Sequence, residues 1–143
     1  MSLAAKQSPR VEARWRFIFR AANNYATALG DLQRFEQVRS LLRKTIPVAR
    51  RVLTDDDEIT LRMRLNYATA LHDDHSATLD DFREAVTTLE DTARIARRVL
   101  GPSHPLVEMN DLRLRNARAT TRARALNVSS LADELEAMTP GPT

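Results

Sequence analysis

Asn66-Tyr67-Ala68-Thr69-Ala70-Leu71 repeats, letter for letter, the stretch Asn24-Tyr25-Ala26-Thr27-Ala28-Leu29, 42 residues earlier. A second echo follows each copy: Ala49-Arg50-Arg51-Val52-Leu53 returns as Ala96-Arg97-Arg98-Val99-Leu100, and Phe35 returns as Phe82, both 47 residues on. The change of offset places five additional residues between Leu71 and Phe82. Self-similarity with a period in the forties marks a repeat architecture, in which each unit is a supersecondary element that buries its apolar face only against its neighbours. Such a chain is organised for binding, and its ligand is not written in the repeat itself.

Composition agrees with an all-α array. A chain of 143 residues suits one domain, glycine is scarce at 3, and aromatics make up 5%. Alanine, leucine and arginine supply helix propensity without the β-branched and aromatic weight of strands. There is no cysteine, which removes disulfide frameworks, thiolate metal sites and cysteine catalysis together. No apolar run approaches the roughly 18 residues of a membrane span, and Met1 to Pro9 lacks the apolar core of a signal peptide. The expectation is a soluble, cytoplasmic protein without a membrane partner. The net charge of +3 hides an uneven layout: residues 1–54 carry +8, 55–91 carry −8 and 92–143 carry +3. That order can draw segments or chains together, although solvated helix faces explain it more simply.

Residues 1–8 have no period and are expected to be disordered. Ser8-Pro9 reads as an N-cap followed by proline in the first helical position. Val11, Trp15, Ile18, Ala22, Tyr25, Ala26 and Leu29 then form a stripe at spacings of three and four, ended by Gly30-Asp31. Phe17 and Phe19 flank that stripe, so the first helix is apolar over more than one face. Trp15, Phe17, Ile18 and Phe19 are therefore the candidate self-association surface of a homo-oligomer. The second helix should run from about Leu32 to Leu53 and continue, kinked, through Pro47. Thr54 or Asp55 should cap a third helix, with the acidic run Asp55 to Glu58 in its first turn. After the insertion in Asp73 to Leu79, expected to be a mobile loop, Thr78 and Asp81 have capping-box spacing and begin a fourth helix. Gly101-Pro102 closes it. Ser103-His104-Pro105 opens a fifth, carrying Leu106, Met109, Leu112, Asn116 and Ala119 inward to about Leu126. A short sixth, capped by Ser129 or Ser130, holds Leu131, Leu135 and Met138, before a tail at 139–143. The units are thus repeat one (about 9–53), repeat two (about 55–100) and capping helices (about 105–138).

Asn-large-Ala in the first helix of each pair, with an aromatic opening the second, resembles the tetratricopeptide repeat. Leu100-Gly101-Pro102-Ser103-His104-Pro105 is similar to the Leu-Gly-Pro-x-His-Pro junction of its kinesin-light-chain-like subgroup, and Asn23-Asn24-Tyr25-Ala26 to that subgroup's Asn-Asn-Leu-Ala. The likeness covers about residues 20–107. It implies antiparallel helical hairpins stacked in a right-handed superhelix, here two repeats plus a capping helix, and a non-catalytic scaffold for proteins or peptides. Family members bind extended peptides in the concave groove lined by the first helix of each pair. On the matching positions that implies a groove of Arg20, Asn23, Asn24, Thr27, Arg62, Asn66 and Thr69. Arg20 and Arg62, one turn before Asn24 and Asn66, favour an acidic or C-terminal-carboxylate peptide. The alternative role of Asn24 and Asn66 is to tie adjacent helices together.

Other signals carry less. His72-Asp73-Asp74-His75 has no second cluster to complete a metal site, so no metal or other cofactor is expected. No Ser/His/Asp set, glycine-rich phosphate loop or His-Glu-x-x-His is present, so no catalytic machinery is expected either. Arg113, Arg115, Arg118, Arg122 and Arg124 make the fifth helix basic, a pattern that could track phosphates. A terminal cap needs a polar outer face in any case, and nucleic acid is the weaker reading.

Overall fold

Among the described residues, four of the five helices begin at a side chain that accepts a free backbone N–H, the demand every helix N-terminus makes. A computed structural model describes residues 7–142, as α1 (Pro9–Asp31), α2 (Phe35–Val52), α3 (Glu58–Asp73), α4 (Leu79–Leu100) and α5 (Pro105–Met138). Among the described residues there is no strand. Ser8 caps α1 through Val11 N at 3.3 Å. Thr78 and Asp81 form the full capping box on α4, at 3.2 and 2.9 Å. The His104 ring accepts from Leu106 N at 3.1 Å and caps α5. Of the segment 1–8 expected to be disordered, residues 1–6 lie outside the described residues, as does Thr143 of the tail.

Several local expectations are corrected. The cap of α3 is Asp57, not Thr54 or Asp55, with its carboxylate accepting from Ile59 N at 2.9 Å. Only Glu58 of the acidic run therefore stands in the first turn. Asp55 instead pairs with Arg50, and Asp56 accepts from the Thr54 hydroxyl at 2.6 Å. α1, by contrast, ends at Asp31 as expected, and Gln33 just beyond it lies in the left-handed region at φ 58. No break occurs at Ser129 or Ser130; α5 runs unbroken over 34 residues. Its inward side chains are Leu106, Val107, Asn110, Leu114 and Ala117, while Met109 and Leu112 are exposed. The Asp74 to Thr78 loop, expected to be mobile, holds bonds of its own: Asp74 accepts from Ser76 N and Oγ and pairs with Arg39 at 3.2 Å. Because Thr78 is the cap of α4, the loop also helps to start that helix.

The helices form consecutive hairpins, α1 with α2 and α3 with α4, with α5 packed on α4. First helices also touch, α1 with α3 and α3 with α5, which is the layout of a tetratricopeptide-like array. α3 lies at the centre: it packs on all four other helices and buries eight side chains. One cluster joins Leu29, Val38, Leu42, Met63, Leu71, Leu89 and Leu114, and a smaller one joins Leu61, Ala96, Leu106 and Val107 at the junction end. Buried Asn110 donates to the Leu89 carbonyl at 2.9 Å and locks α5 to α4. Pro47 sits on the exposed side of α2, where its lost backbone bond faces water and the helix continues. No helix among the described residues is long and apolar enough to cross a membrane.

Phe19 is 2% exposed, stacked on half-buried Trp15 with ring centroids 5.6 Å apart. Phe19, with Ala26 and Leu29, makes the inward side of α1. Ile18 and Tyr25, expected inward, face solvent with Phe17. Of the four residues expected to mediate self-association, Phe17 and Ile18 alone are exposed, because Trp15 and Phe19 serve the core.

Candidate functional site: the groove between α1 and α3

α1 and α3 run side by side in the same direction, as their cross-contacts show: Arg16 meets Asp57 and Asn23 meets Asn66, each about one repeat apart. Between them lies a groove of about 590 Å³, lined by Arg16, Arg20, Asn23, Asn24, Thr27, Asp57, Glu58, Ile59, Arg62, Leu65 and Asn66. Six of the seven expected groove residues, Arg20, Asn23, Asn24, Thr27, Arg62 and Asn66, are brought together there. Thr69 is not among them. It lines an adjoining recess of about 220 Å³ with Thr27, Asn66, Asp73 and Arg113, one turn further along α3.

The two motif asparagines differ in what surrounds them. Asn66 Nδ2 donates to Asn23 Oδ1 at 2.8 Å and to Thr27 Oγ1 at 3.2 Å, a tie between α1 and α3. Thr27 in turn donates to the Asn23 carbonyl at 3.1 Å. Asn24 is exposed at the groove and makes no side-chain hydrogen bond among the described residues. The same letter is thus a structural tie in the second copy and an unengaged amide in the first.

The groove's charges are largely spoken for. Arg16 reaches Asp57 at 2.8 Å and Glu12 at 3.2 Å. Burial works against its charge, but the bond to Asp57 and the nearby Glu12 outweigh burial and raise its pKa above the ordinary guanidinium value. Arg62 pairs with Glu58 at 2.7 Å, both half exposed, a link worth little in water. Arg20 has no ion-pair partner among the described residues. Among the groove's polar side chains, Arg20 and Asn24 are thus the ones without a side-chain partner among the described residues, beside the paired Arg16, Asp57, Glu58 and Arg62. The Arg16–Asp57 bridge was missed in the sequence. Its signal was the spacing: the two stand one residue short of the 42-residue period, the offset at which parallel repeat helices meet.

On the other side of α3, Tyr67 joins α2 to α4. Its hydroxyl donates to Glu84 at 2.6 Å and accepts from Arg43 Nε at 2.8 Å, with the Arg43 guanidinium 5.7 Å from the ring centre. Burial, reinforced by Glu84 and opposed by Arg43, pushes the phenol pKa up. The arginines of α5 are partly engaged within the chain: Arg113 pairs with Asp73, Arg118 with Glu90, and Arg124 lies over Phe82. In the His72 to His75 stretch, His72 bridges Asp73 at 2.9 Å and Thr120 at 3.0 Å. Among the described residues no three His, Cys, Asp or Glu side chains come together to hold a metal ion.

The paired helices and the groove between them have the layout of a tetratricopeptide-like helical array. Residues 76–106, which span α4 and the junction into α5, match a tetratricopeptide repeat family model. No match is found among curated proteins or solved structures. Tetratricopeptide repeats are in general protein-interaction modules.

Proposed function

We propose that the chain is a non-catalytic interaction module that holds an extended, acidic peptide segment in the groove between α1 and α3. The observation that carries this is the meeting of unpaired Arg20 and unengaged Asn24 in a groove of about 590 Å³, roughly the size of a small ligand site. Asn24 suits the donor and acceptor pattern of a peptide backbone, and Arg20 with Arg62 suits a side-chain or terminal carboxylate. Asn23, Thr27 and Asn66 set the spacing of the two walls, and Thr69 extends the surface along α3. The 42-residue period and the Leu100 to Pro105 junction, in which His104 caps α5, favour a repeat of the kinesin-light-chain-like kind.

A peptide array of extended acidic sequences, followed by fluorescence anisotropy on the strongest binders, tests this. Arg20→Ala with Asn24→Ala should weaken binding at least about tenfold without changing the melting temperature, since neither side chain is buried. Raising the salt should weaken the wild-type interaction as well. Binding indifferent to both substitutions would remove the groove from consideration.

A further inference from the structure

The outer side of α1 carries Phe17, Ile18, Ala21, Tyr25 and Ala28, continued by Leu32 just past its end, all exposed, in a stripe along the helix. The repeat reveals what kind of surface this is. The residues 42 positions on from the first five are Ile59, Thr60, Met63, Tyr67 and Ala70, and all five are buried. In the second copy that face is covered from the α2 side, as the Arg43 to Tyr67 bond records. The α1 stripe is thus a seat for an antiparallel helix, and among the described residues nothing occupies it.

A second unpartnered stripe lies at the other end of the molecule. The inward residues of α5 follow spacings of three and four through Val107, Asn110, Leu114, Ala117 and Thr121. The same spacing continues through Val128, Leu131, Leu135 and Met138, and all four are exposed. Near the start of α4 the Arg124 guanidinium lies over the Phe82 ring, and Ala125 is the last partly buried residue of α5. From Leu126 to Met138 every residue is exposed, an overhang of roughly 20 Å at 1.5 Å per residue. Alternating spacings of three and four are those of a helix-pairing seam.

We propose that the α5 overhang of one molecule occupies the α1 seat of a second copy, antiparallel to it. α5 packs on α4 and α3 and makes no contact with α1 in its own chain, so the contact joins two molecules. Charge favours the same pairing and direction. The overhang carries Asp133, Glu134 and Glu136 and no basic residue after Arg124, while exposed Arg10 and Arg14 stand at the start of α1. None of these five groups has an ion-pair partner among the described residues. An antiparallel arrangement sets the acidic end of α5 beside that basic end of α1. Because the two surfaces differ, the contact is heterologous: it closes as a reciprocal pair or propagates as a ring or chain.

The test is sedimentation of the full chain over a wide concentration range, with two variants. Phe17→Glu with Tyr25→Glu spoils the seat, and Leu131→Glu with Leu135→Glu spoils the overhang. All four positions are exposed, so circular dichroism should report unchanged helicity. Wild type should sediment as a dimer or larger species that dissociates at high salt, and each variant alone should associate at least about tenfold more weakly. Mixing the two variants should restore a one-to-one complex, because one intact seat then meets one intact overhang. The proposal is overturned by a wild type that stays monomeric, by a variant that keeps wild-type association, or by a mixture that forms no complex. A variant that keeps wild-type association would show that the surface it spoils takes no part in the contact. The groove side chains Arg20 and Asn24 are untouched by these changes, so a failure here leaves peptide binding a separate question.

Discussion

Tyr25 and Tyr67 occupy the same place in identical hexapeptides, yet replacing each by alanine should have very different consequences. Tyr67 is 8% exposed between α2 and α4, whereas Tyr25 is 59% exposed on the outer side of α1. Truncating a buried aromatic removes its burial and leaves a cavity, about 3–5 kcal/mol in a packed core. Tyr67→Ala also strips Arg43 and Glu84 of their shared hydroxyl, but both are about half exposed and water can replace it. Tyr25→Ala in the monomer loses only partial contacts and should cost under about 1 kcal/mol. Urea unfolding followed by circular dichroism, at a protein concentration low enough to keep the chain monomeric, separates the two. At a slope of about 2 kcal/mol per molar urea, Tyr67→Ala should lower the midpoint by about 1.5–2.5 M and Tyr25→Ala by under about 0.5 M. Comparable shifts for the two would refute the claim that α1 lacks the cover α3 possesses.

Further outcomes are expected. Asn66→Ala should lower stability by about 1 kcal/mol, the ordinary net worth of a hydrogen bond, through loss of the tie to Asn23 and Thr27; thermal melts that do not move would show the tie to be idle. Gly101 closes α4 at φ 88, ψ 158, a conformation nearly confined to glycine, so Gly101→Ala should destabilise by about 1–3 kcal/mol, even though a methyl group there would meet open space. Because the Tyr67 phenol pKa is raised on folding, the folded state holds that proton more tightly than the unfolded chain. Its contribution is then constant below about pH 10 and is lost as pH rises through the folded pKa. Tyr67→Phe should flatten the alkaline limb of a stability profile, and an unchanged limb would show that other groups govern it.

Much of the array could be read from residues alone, because its starts and stops are local chemistry. Ser8-Pro9, Thr78 with Asp81 and Gly101-Pro102 each satisfy backbone groups within a few residues, and all three act where they were expected. The start of α3 was harder, since four consecutive acidic residues include several that could cap. The junction geometry decided for Asp57, with Thr54 at a positive φ of 154. The face of α5 was misread because Leu106, Val107, Met109, Leu112 and Leu114 spread apolar character around the helix, and only packing on α4 selects among them. Ser129 and Ser130 resemble a cap, but no glycine or proline stands between Leu106 and Thr139 to stop the helix. In the groove, the period identified which positions share a wall. It could not separate the tasks of Asn24 and Asn66, because Asn66 has a first helix before it to bond with and Asn24 has none among the described residues.

The central position of α3 also governs how the molecule breathes. Every other helix packs on it, so its amide protons can exchange with solvent only when neighbours on both sides have opened, while α1 and the far end of α5 can fray with the rest intact. Exchange protection should therefore peak in Leu61 to Leu71 and decline outward in both directions, reaching its minimum beyond Leu126. Anything that clamps α1 against α3, whether a bound peptide bridging the groove or a second molecule seated on the outer face, would then slow exchange first at the N-terminal end of the array and leave the centre as it was.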